Sequence, residues 1–103
     1  MVHFTFTPKF IAELKAICDY LWENRSEQVA RELEDKVFEA IEKLEHSPQR
    51  WQRVEISDVD GEFRRILVGV YQIFYEYEIN QNHITIYSIV DGRRRPPLFT
   101  PIK

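Results

Sequence analysis

Residues 63–97 read FRRILVGVYQIFYEYEINQNHITIYSIVDGRRRPP, and this stretch decides the fold of the chain. Apolar and aromatic residues recur with the period of a β-strand, interrupted by Gly69 and by the polar run Asn80–Asn82, where turns are expected. The pattern predicts three strands in antiparallel succession. Their predicted bounds are Phe63–Val68, Val70–Ile79 and Ile84–Val90.

The central predicted strand has apolar or aromatic residues on both faces. Because side chains alternate along a strand, Tyr71, Ile73, Tyr75 and Tyr77 point one way, and Phe74 points the other way. Two helices can cover one face, and an antiparallel sheet usually leaves its second face polar. We therefore expect the second face to be an exposed apolar patch that binds another protein. The alternative is that the loop 47–61 or the tail 98–102 covers it.

Upstream of the sheet, the sequence predicts one short strand and two helices. His3–Thr7 alternates as a strand, and Thr7 with Pro8 forms a helix start that leads to about Asn24. Ser26 caps a second amphipathic helix, which ends before Pro48. The expected fold is α+β: an N-terminal strand, an antiparallel helical hairpin packed on one face, and a three-stranded antiparallel meander. Residues 47–61 are expected to be a polar connection with a turn over Asp58–Gly61.

Composition limits the class of protein. A chain of 103 residues with 44% hydrophobic residues suits a single domain spanning residues 1–103. No apolar run approaches the roughly 20 residues of a membrane span, no secretory leader is evident, and the single cysteine, Cys18, fits a reducing cytoplasm. Residues 1–62 hold 8 basic and 14 acidic residues, whereas residues 63–103 hold 6 basic and 3 acidic ones. The two halves are therefore expected to have different roles.

The arginines of the second half are candidate binding residues. Arg64 and Arg65 project to opposite faces of their strand, so one of them is expected to approach the helices. For this pair, a structural role, in which an arginine pairs with a carboxylate at the sheet edge, is the alternative to a binding role. Arg93, Arg94 and Arg95 precede two prolines on a predicted exposed segment, where guanidinium groups suit phosphate or carboxylate recognition. The alternative is that Arg93, Arg94 and Arg95 are solvent-exposed residues at the edge of the sheet that bind no partner.

No metal or cofactor site is predicted. His3, His46 and His83 have no partners at metal-ligand spacing, and Cys18 lies on the apolar stripe of the first helix, which is typical of a small core residue. Trp22 and Trp51 are interpreted as core residues, with a role as partner anchors as the alternative.

The order of these motifs resembles the ParE branch of the RelE/ParE toxin superfamily, over nearly the whole chain from Phe4 to Pro97. The motifs that carry the resemblance are the Arg64-Arg65 pair, the strand Val68-Gly69-Val70-Tyr71-Gln72-Ile73-Phe74-Tyr75-Glu76 and the closing Asp91-Gly92-Arg93-Arg94. The resemblance implies a small bacterial toxin that an antitoxin wraps and neutralises. ParE-like members are known as poisons of DNA gyrase, whereas RelE-like members cut mRNA on the ribosome.

The two branches imply different uses of the same residues. Ribonuclease chemistry needs a base, an acid and cations around the phosphate, and the arginine expected in the central strand is replaced here by Gln72. We therefore favour a noncatalytic toxin that inhibits gyrase, with a RelE-like endoribonuclease or a nontoxic family member as alternatives. If the chain is a ribonuclease, the candidate catalytic residues are Arg64, Arg65, Arg93, Arg94 and Tyr87. For the favoured toxin, the candidate contacts to target or antitoxin are Arg64, Arg65, Tyr71, Tyr75, Arg93, Arg94 and Arg95. A dimer or a toxin-antitoxin hetero-oligomer is possible in either case.

Overall fold

The computed structural model describes residues 2–56, 59–93 and 99–101, with the backbone alone at 59, 60 and 99–101. These residues form two helices and six strands, with short 3₁₀ turns at Lys43–Glu45 and Ile79–Gln81. The elements in chain order are β1 His3–Phe6, α1 Pro8–Asn24, α2 Glu27–Glu42, β2 Gln52–Ile56, β3 Val59–Val68, β4 Tyr71–Glu78, β5 His83–Asp91 and β6 Phe99–Pro101.

Local chemistry sets the helix boundaries. The Thr7 side chain accepts a hydrogen bond from the Phe10 amide at 3.0 Å, and Pro8 occupies the first turn, where it has no hydrogen bond to lose. The Ser26 hydroxyl accepts from the Val29 amide at 3.1 Å and starts α2 in the same way. Both predicted caps are confirmed, because capping depends on residues only three positions apart.

The strands form one mixed sheet in the order β1-β5-β4-β3-β2-β6. β1 runs parallel to β5, and each of the other neighbours is antiparallel. The predicted meander β3-β4-β5 and the helical hairpin are confirmed. The turn at Gly69, where φ is +59°, is also confirmed, since a positive φ favours glycine.

The predicted connection over residues 47–61 is wrong in part, because it contains the additional strand β2. β2 pairs with β3 through Gln52↔Arg65, Arg53↔Arg64 and Val54↔Phe63, and β3 begins at Val59 rather than at Phe63. Of the turn predicted over Asp58–Gly61, Asp58 lies outside the described residues and the rest belongs to β3. Pairing with a partner strand thus overrides the turn-like composition of this segment.

The main core lies between the helical hairpin and one face of the sheet. As the alternation predicts, Ile73 and Tyr75 of β4 point into it, with Tyr71 and Tyr77 packed at its margin. Its buried members come from α1, α2, the turn after α2 and three central strands. They are Phe10, Leu14, Leu33, Val37, Ile41, Leu44, Ile66, Ile73, Tyr75, Ile84, Ile86 and Ile89.

The second face of the sheet carries a smaller buried cluster. Val54, Phe63 and Phe74 are only 1%, 3% and 4% exposed, and Ile56, Tyr87 and Val90 pack around them. The expectation of an open apolar patch is therefore wrong at the centre of this face, because β2 and a bulge in β5 at Tyr87 supply neighbouring side chains. The tail strand β6 pairs with the backbone of β2 at the sheet edge.

Neither described helix has the length and apolar character needed to cross a lipid bilayer.

Candidate functional site

A cleft with two tyrosine walls opens between α1 and the ends of β4 and β5. Tyr20 projects from α1 and Tyr71 from the start of β4, and Val90 and Asp91 close the cleft from β5. Its volume is about 450 Å³, and its floor includes Ile17 and Ile89. We refer to it as the tyrosine cleft. Its mixed aromatic and aliphatic lining suits a partner's side chain, since tyrosine combines contact area with a polar end.

Arg93 is held beside this cleft by Asp91. The Asp91 carboxylate accepts hydrogen bonds from Arg93 Nε at 3.2 Å, Nη2 at 3.1 Å and the backbone amide at 2.9 Å. The guanidinium side chain stays 67% exposed while that of Asp91 is 8% exposed. The hydrogen bond and the charge of Asp91 raise the pKa of Arg93, and Tyr71 and Tyr20 contribute in the same direction. This pair presents a cation in a defined orientation at the surface.

Arg64 has a structural position on the helical face of β3. Its Nη1 donates to the Trp51 carbonyl oxygen at 2.8 Å, and its Nη2 lies 3.4 Å from Glu62 Oε1. The guanidinium is only 12% exposed. Arg65 projects to the opposite face, where its Nη2 donates to Gln52 Oε1. The opposite orientation of the two arginines follows from strand alternation, but their contacts with Trp51, just before β2, and with Gln52, the first residue of β2, could not be read from the sequence.

Of two predicted tyrosines, Tyr75 lies inside the structure and Tyr87 is half-buried on the second face of the sheet. Tyr75 is completely buried, and its hydroxyl donates to the Pro48 carbonyl oxygen at 2.6 Å. Burial raises the pKa of this hydroxyl, against a smaller opposing effect of Arg64. Tyr87 packs its ring 5.2 Å from that of Phe63 on the second face. A direct contact between Tyr75 and a partner is therefore incompatible with this conformation.

Arg64 and Arg93 do not converge on one site. Arg64 pairs with Tyr75 across the β3–β4 ladder, whereas Asp91, two residues before Arg93, pairs with Tyr71. Four residues of strand separate those rungs, which is about 13 Å. Tyr87 and Arg64 also lie on opposite faces of the sheet. Arg94 and Arg95 lie outside the described residues.

Gln72 occupies the second face near the end of the sheet. Its side-chain nitrogen contacts the position that a side chain on Gly92 would fill, and the Gly92 amide donates to Val70 O at 2.9 Å. Gln72 Oε1 is buried without a hydrogen-bond partner among the residues that the structure describes. A neutral amide therefore fills the position where the resemblance placed an arginine.

Sequence reasoning missed the group that fixes α1 against the sheet. Glu13 Oε1 accepts from Ser88 Oγ at 2.7 Å and from the Ile89 amide at 3.1 Å, and Glu13 Oε2 lies 2.6 Å from Lys9 Nζ. Glu13 also borders the tyrosine cleft. The i,i+4 spacing of Lys9 and Glu13 could have indicated their pairing, but the contact with β5 bridges about 75 residues and has no local signal.

Known proteins share this architecture. A structure described as a chromosomal ParDE TA system from P. aeruginosa aligns with a TM-score of 0.70 and 19% identity, over 88% of this chain and 96% of that one. An archaeal RelE–RelB complex from Pyrococcus horikoshii OT3 aligns with a TM-score of 0.60 and 13% identity, over 91% and 98% of the two chains. No curated protein sequence matches significantly. The fold is that of the RelE/ParE toxins.

The sequence itself narrows the class to one branch. Residues 4–96 match the family described as ParE toxin of type II toxin-antitoxin system, parDE. This chain belongs to the ParE toxin family.

Proposed function

We propose that this ParE-family toxin inhibits DNA gyrase by a protein–protein contact centred on Arg93 and the tyrosine cleft. The observation that carries the proposal is the Asp91–Arg93 pair, which orients an exposed guanidinium next to Tyr20 and Tyr71. Arginine and tyrosine are enriched among the residues that dominate binding energy at interfaces. We further propose that a cognate antitoxin neutralises the toxin.

The arrangement of the other candidates supports binding over RNA cleavage. The Arg64 guanidinium donates a hydrogen bond to the Trp51 carbonyl oxygen and forms an ion pair with Glu62. The Tyr87 ring packs against the ring of Phe63. The sheet stands between Arg64 and Tyr87, so these two groups do not act on one phosphate. General acid–base catalysis needs its groups within hydrogen-bond reach of the same substrate. The geometry therefore favours the noncatalytic toxin.

The test is supercoiling of relaxed plasmid by purified gyrase in the presence of the purified chain. We expect the wild-type chain to inhibit supercoiling, and Arg93→Ala to need roughly 10- to 100-fold more protein, because a charge-assisted contact contributes about 1.5–3 kcal/mol. In cells, expression of the wild-type chain without antitoxin is expected to cause filamentation and DNA damage.

Arg31→Ala is the matched control, since Arg31 is also an exposed arginine paired with a carboxylate, that of Glu27 at 3.1 Å. This variant should inhibit as the wild type does. Uninhibited supercoiling combined with prompt, codon-positioned cuts in mRNA would contradict the proposal and favour the endoribonuclease. An Arg93→Ala protein that fails to fold would instead place Arg93 among the structural residues.

A further inference from the structure

The segment that carries Arg93 is joined to the start of β4 through its backbone. Asp91 pairs with Tyr71 in the β4–β5 ladder. The next residue, Gly92, donates a hydrogen bond from its amide to Val70 O at 2.9 Å. The Arg93 amide then donates to Asp91 Oδ1, also at 2.9 Å. The orientation of the Arg93 guanidinium therefore depends on the backbone of residues 91–93.

The Gln72 side chain packs against this segment from the other face of the sheet. Because side chains alternate along β4, Tyr71 lines the tyrosine cleft and Gln72 points to the second face. An alanine Cβ at residue 92 would overlap the Gln72 side-chain nitrogen, and it would lie 3.2 Å from Gln72 Cδ and 3.3 Å from Val70 O. The Gln72 amide thus occupies the space that a side chain at residue 92 would need.

This close approach accounts for the glycine at residue 92. Of the three glycines in the chain, only Gly61 and Gly69 have a positive φ, so the Gly92 backbone lies outside the left-handed region that favours glycine. Alanine at residue 92 would therefore fit the backbone conformation, and the obstacle to it is contact with Gln72 and, more weakly, with Val70 O. The absent side chain of Gly92 makes room for the Gln72 amide.

Hydrogen bonding does not explain the glutamine. Its Oε1 atom is buried without a hydrogen-bond partner within residues 2–56, 59–93 and 99–101. A buried acceptor that lacks a donor costs free energy of folding, and such an atom in a folded protein requires a reason other than its own stability. What Gln72 supplies is a side chain long enough to reach from β4 to the backbone at Gly92. Its contribution is therefore one of shape.

We propose that Gln72 and Gly92 are positioning residues for Arg93. The Gln72 amide, packed on Gly92, fixes the backbone of residues 91–93 and thereby holds the guanidinium at the tyrosine cleft. Gln72 lies on the second face, so it affects the contact with the target through this backbone. The consequence for gyrase rests on the proposed function, whereas the consequence for the orientation of Arg93 does not.

The direct readout is hydrogen exchange of the Arg93 Nε–H group, which donates to Asp91 Oδ1 at 3.2 Å. It is measured by NMR on the isotope-labelled full chain. We expect Gly92→Ala to speed this exchange about fivefold or more, because the displaced backbone no longer holds the guanidinium against the carboxylate. Arg53 is the internal control, since its Nε lies 3.2 Å from Glu62 Oε1 in a pair between β2 and β3. Its exchange should not change.

Changes at Gln72 separate positioning from a general loss of packing. Gln72→Ala alone should speed the Arg93 exchange roughly threefold, because it leaves the space beside residue 92 empty. Combined with Gly92→Ala, the same change removes the overlap and should return the exchange to within about twofold of the wild type. Gln72→Met has a similar length without the amide, so it should behave as the wild type does. Urea denaturation checks that each variant is folded, and the two single changes at Gln72 decide the proposal if Gly92→Ala does not fold.

The same variants are then compared in the gyrase supercoiling assay. Gly92→Ala should need roughly tenfold more protein than the wild type, because a misplaced guanidinium loses much of a charge-assisted contact. Its combination with Gln72→Ala, and Gln72→Met alone, should inhibit as the wild type does. Gln28→Ala, at an exposed glutamine of α2, is the control and should also leave inhibition unchanged.

The outcomes distinguish this inference from the function on which it rests. Arg93 exchange that stays unchanged in Gln72→Ala and Gly92→Ala would overturn the positioning role, and so would a loss in Gly92→Ala that Gln72→Ala does not restore. If exchange responds as expected but the wild-type chain does not inhibit gyrase, the positioning role is supported and the proposed target is contradicted. Inhibition by the wild type together with unresponsive exchange would do the reverse.

Discussion

Tyr75 shows how a single residue joins the loop after the helices to the sheet. Its hydroxyl is buried and donates a hydrogen bond to the Pro48 carbonyl oxygen. Removal of the hydroxyl therefore removes this hydrogen bond and leaves the carbonyl oxygen without its tyrosine donor. We expect Tyr75→Phe to lower the free energy of unfolding by about 1–2 kcal/mol, measured by urea denaturation. Tyr77→Phe is the control: its hydroxyl lies 3.3 Å from Asn82 Oδ1 on a half-buried side chain, and a smaller loss is expected. Equal losses in the two variants would show that burial of the Tyr75 hydroxyl does not increase the contribution of its hydrogen bond to the free energy of unfolding.

The same residue predicts a pH dependence. Burial raises the pKa of the Tyr75 hydroxyl in the folded protein, whereas in the unfolded chain a tyrosine ionises near pH 10. Between these two values the unfolded state releases a proton that the folded state keeps, so stability falls as the pH rises above about 10. We expect the free energy of unfolding of Tyr75→Phe to decline less steeply over pH 9.5–11 than that of the wild type, by denaturation at each pH. Parallel declines would contradict the assignment to Tyr75.

At the scale of elements, Glu13 joins α1 to β5. It accepts from the buried Ser88 hydroxyl and from the Ile89 amide, and its loss leaves both donors without this carboxylate. We expect Glu13→Ala to destabilise the fold by about 2 kcal/mol, measured by thermal or urea unfolding. The control is Asp19→Ala on the same helix, because Asp19 forms an exposed pair with Lys15 at 2.8 Å, and exposed pairs contribute at most about 1 kcal/mol. A Glu13→Ala effect no larger than this control would show that the contacts with β5 contribute little.

Elements whose signals are local were predictable from the sequence. Thr7 and Ser26 cap helices through amides three residues away, and Gly69 supplies the positive φ of the β3–β4 turn. β2 was missed, because its segment has the composition of a polar connection and becomes a strand by pairing with β3. The parallel partnership of β1 with β5 joins residues 80 positions apart, and nothing in either segment specifies it.

At the scale of the whole molecule, the structure separates features that are neighbours in sequence. Arg64 and Arg65 are adjacent, yet one reaches Trp51 on the helical face and the other reaches Gln52 on the opposite face. The tyrosine cleft in turn combines residues from α1, β4 and β5. Of the candidate contacts, Tyr71 and Arg93 lie at that cleft, and Tyr75 does not reach the surface. Asp91 is part of the closing motif in the sequence, but its hydrogen bonds to Arg93 could not be predicted from that motif.

The sequence by itself determined the succession of the first strand, the two helices and the three-stranded meander, the helix starts, the alternation of β4 and the family resemblance, because each depends on residue types at short, regular spacing. Only the tertiary structure decided that β2 extends the meander, that Val54, Phe63 and Phe74 bury part of the second face, and that Glu13 anchors α1. It also decided which groups Arg64 and Arg65 contact. These features arise from contacts between distant segments, whose geometry depends on how the whole chain packs.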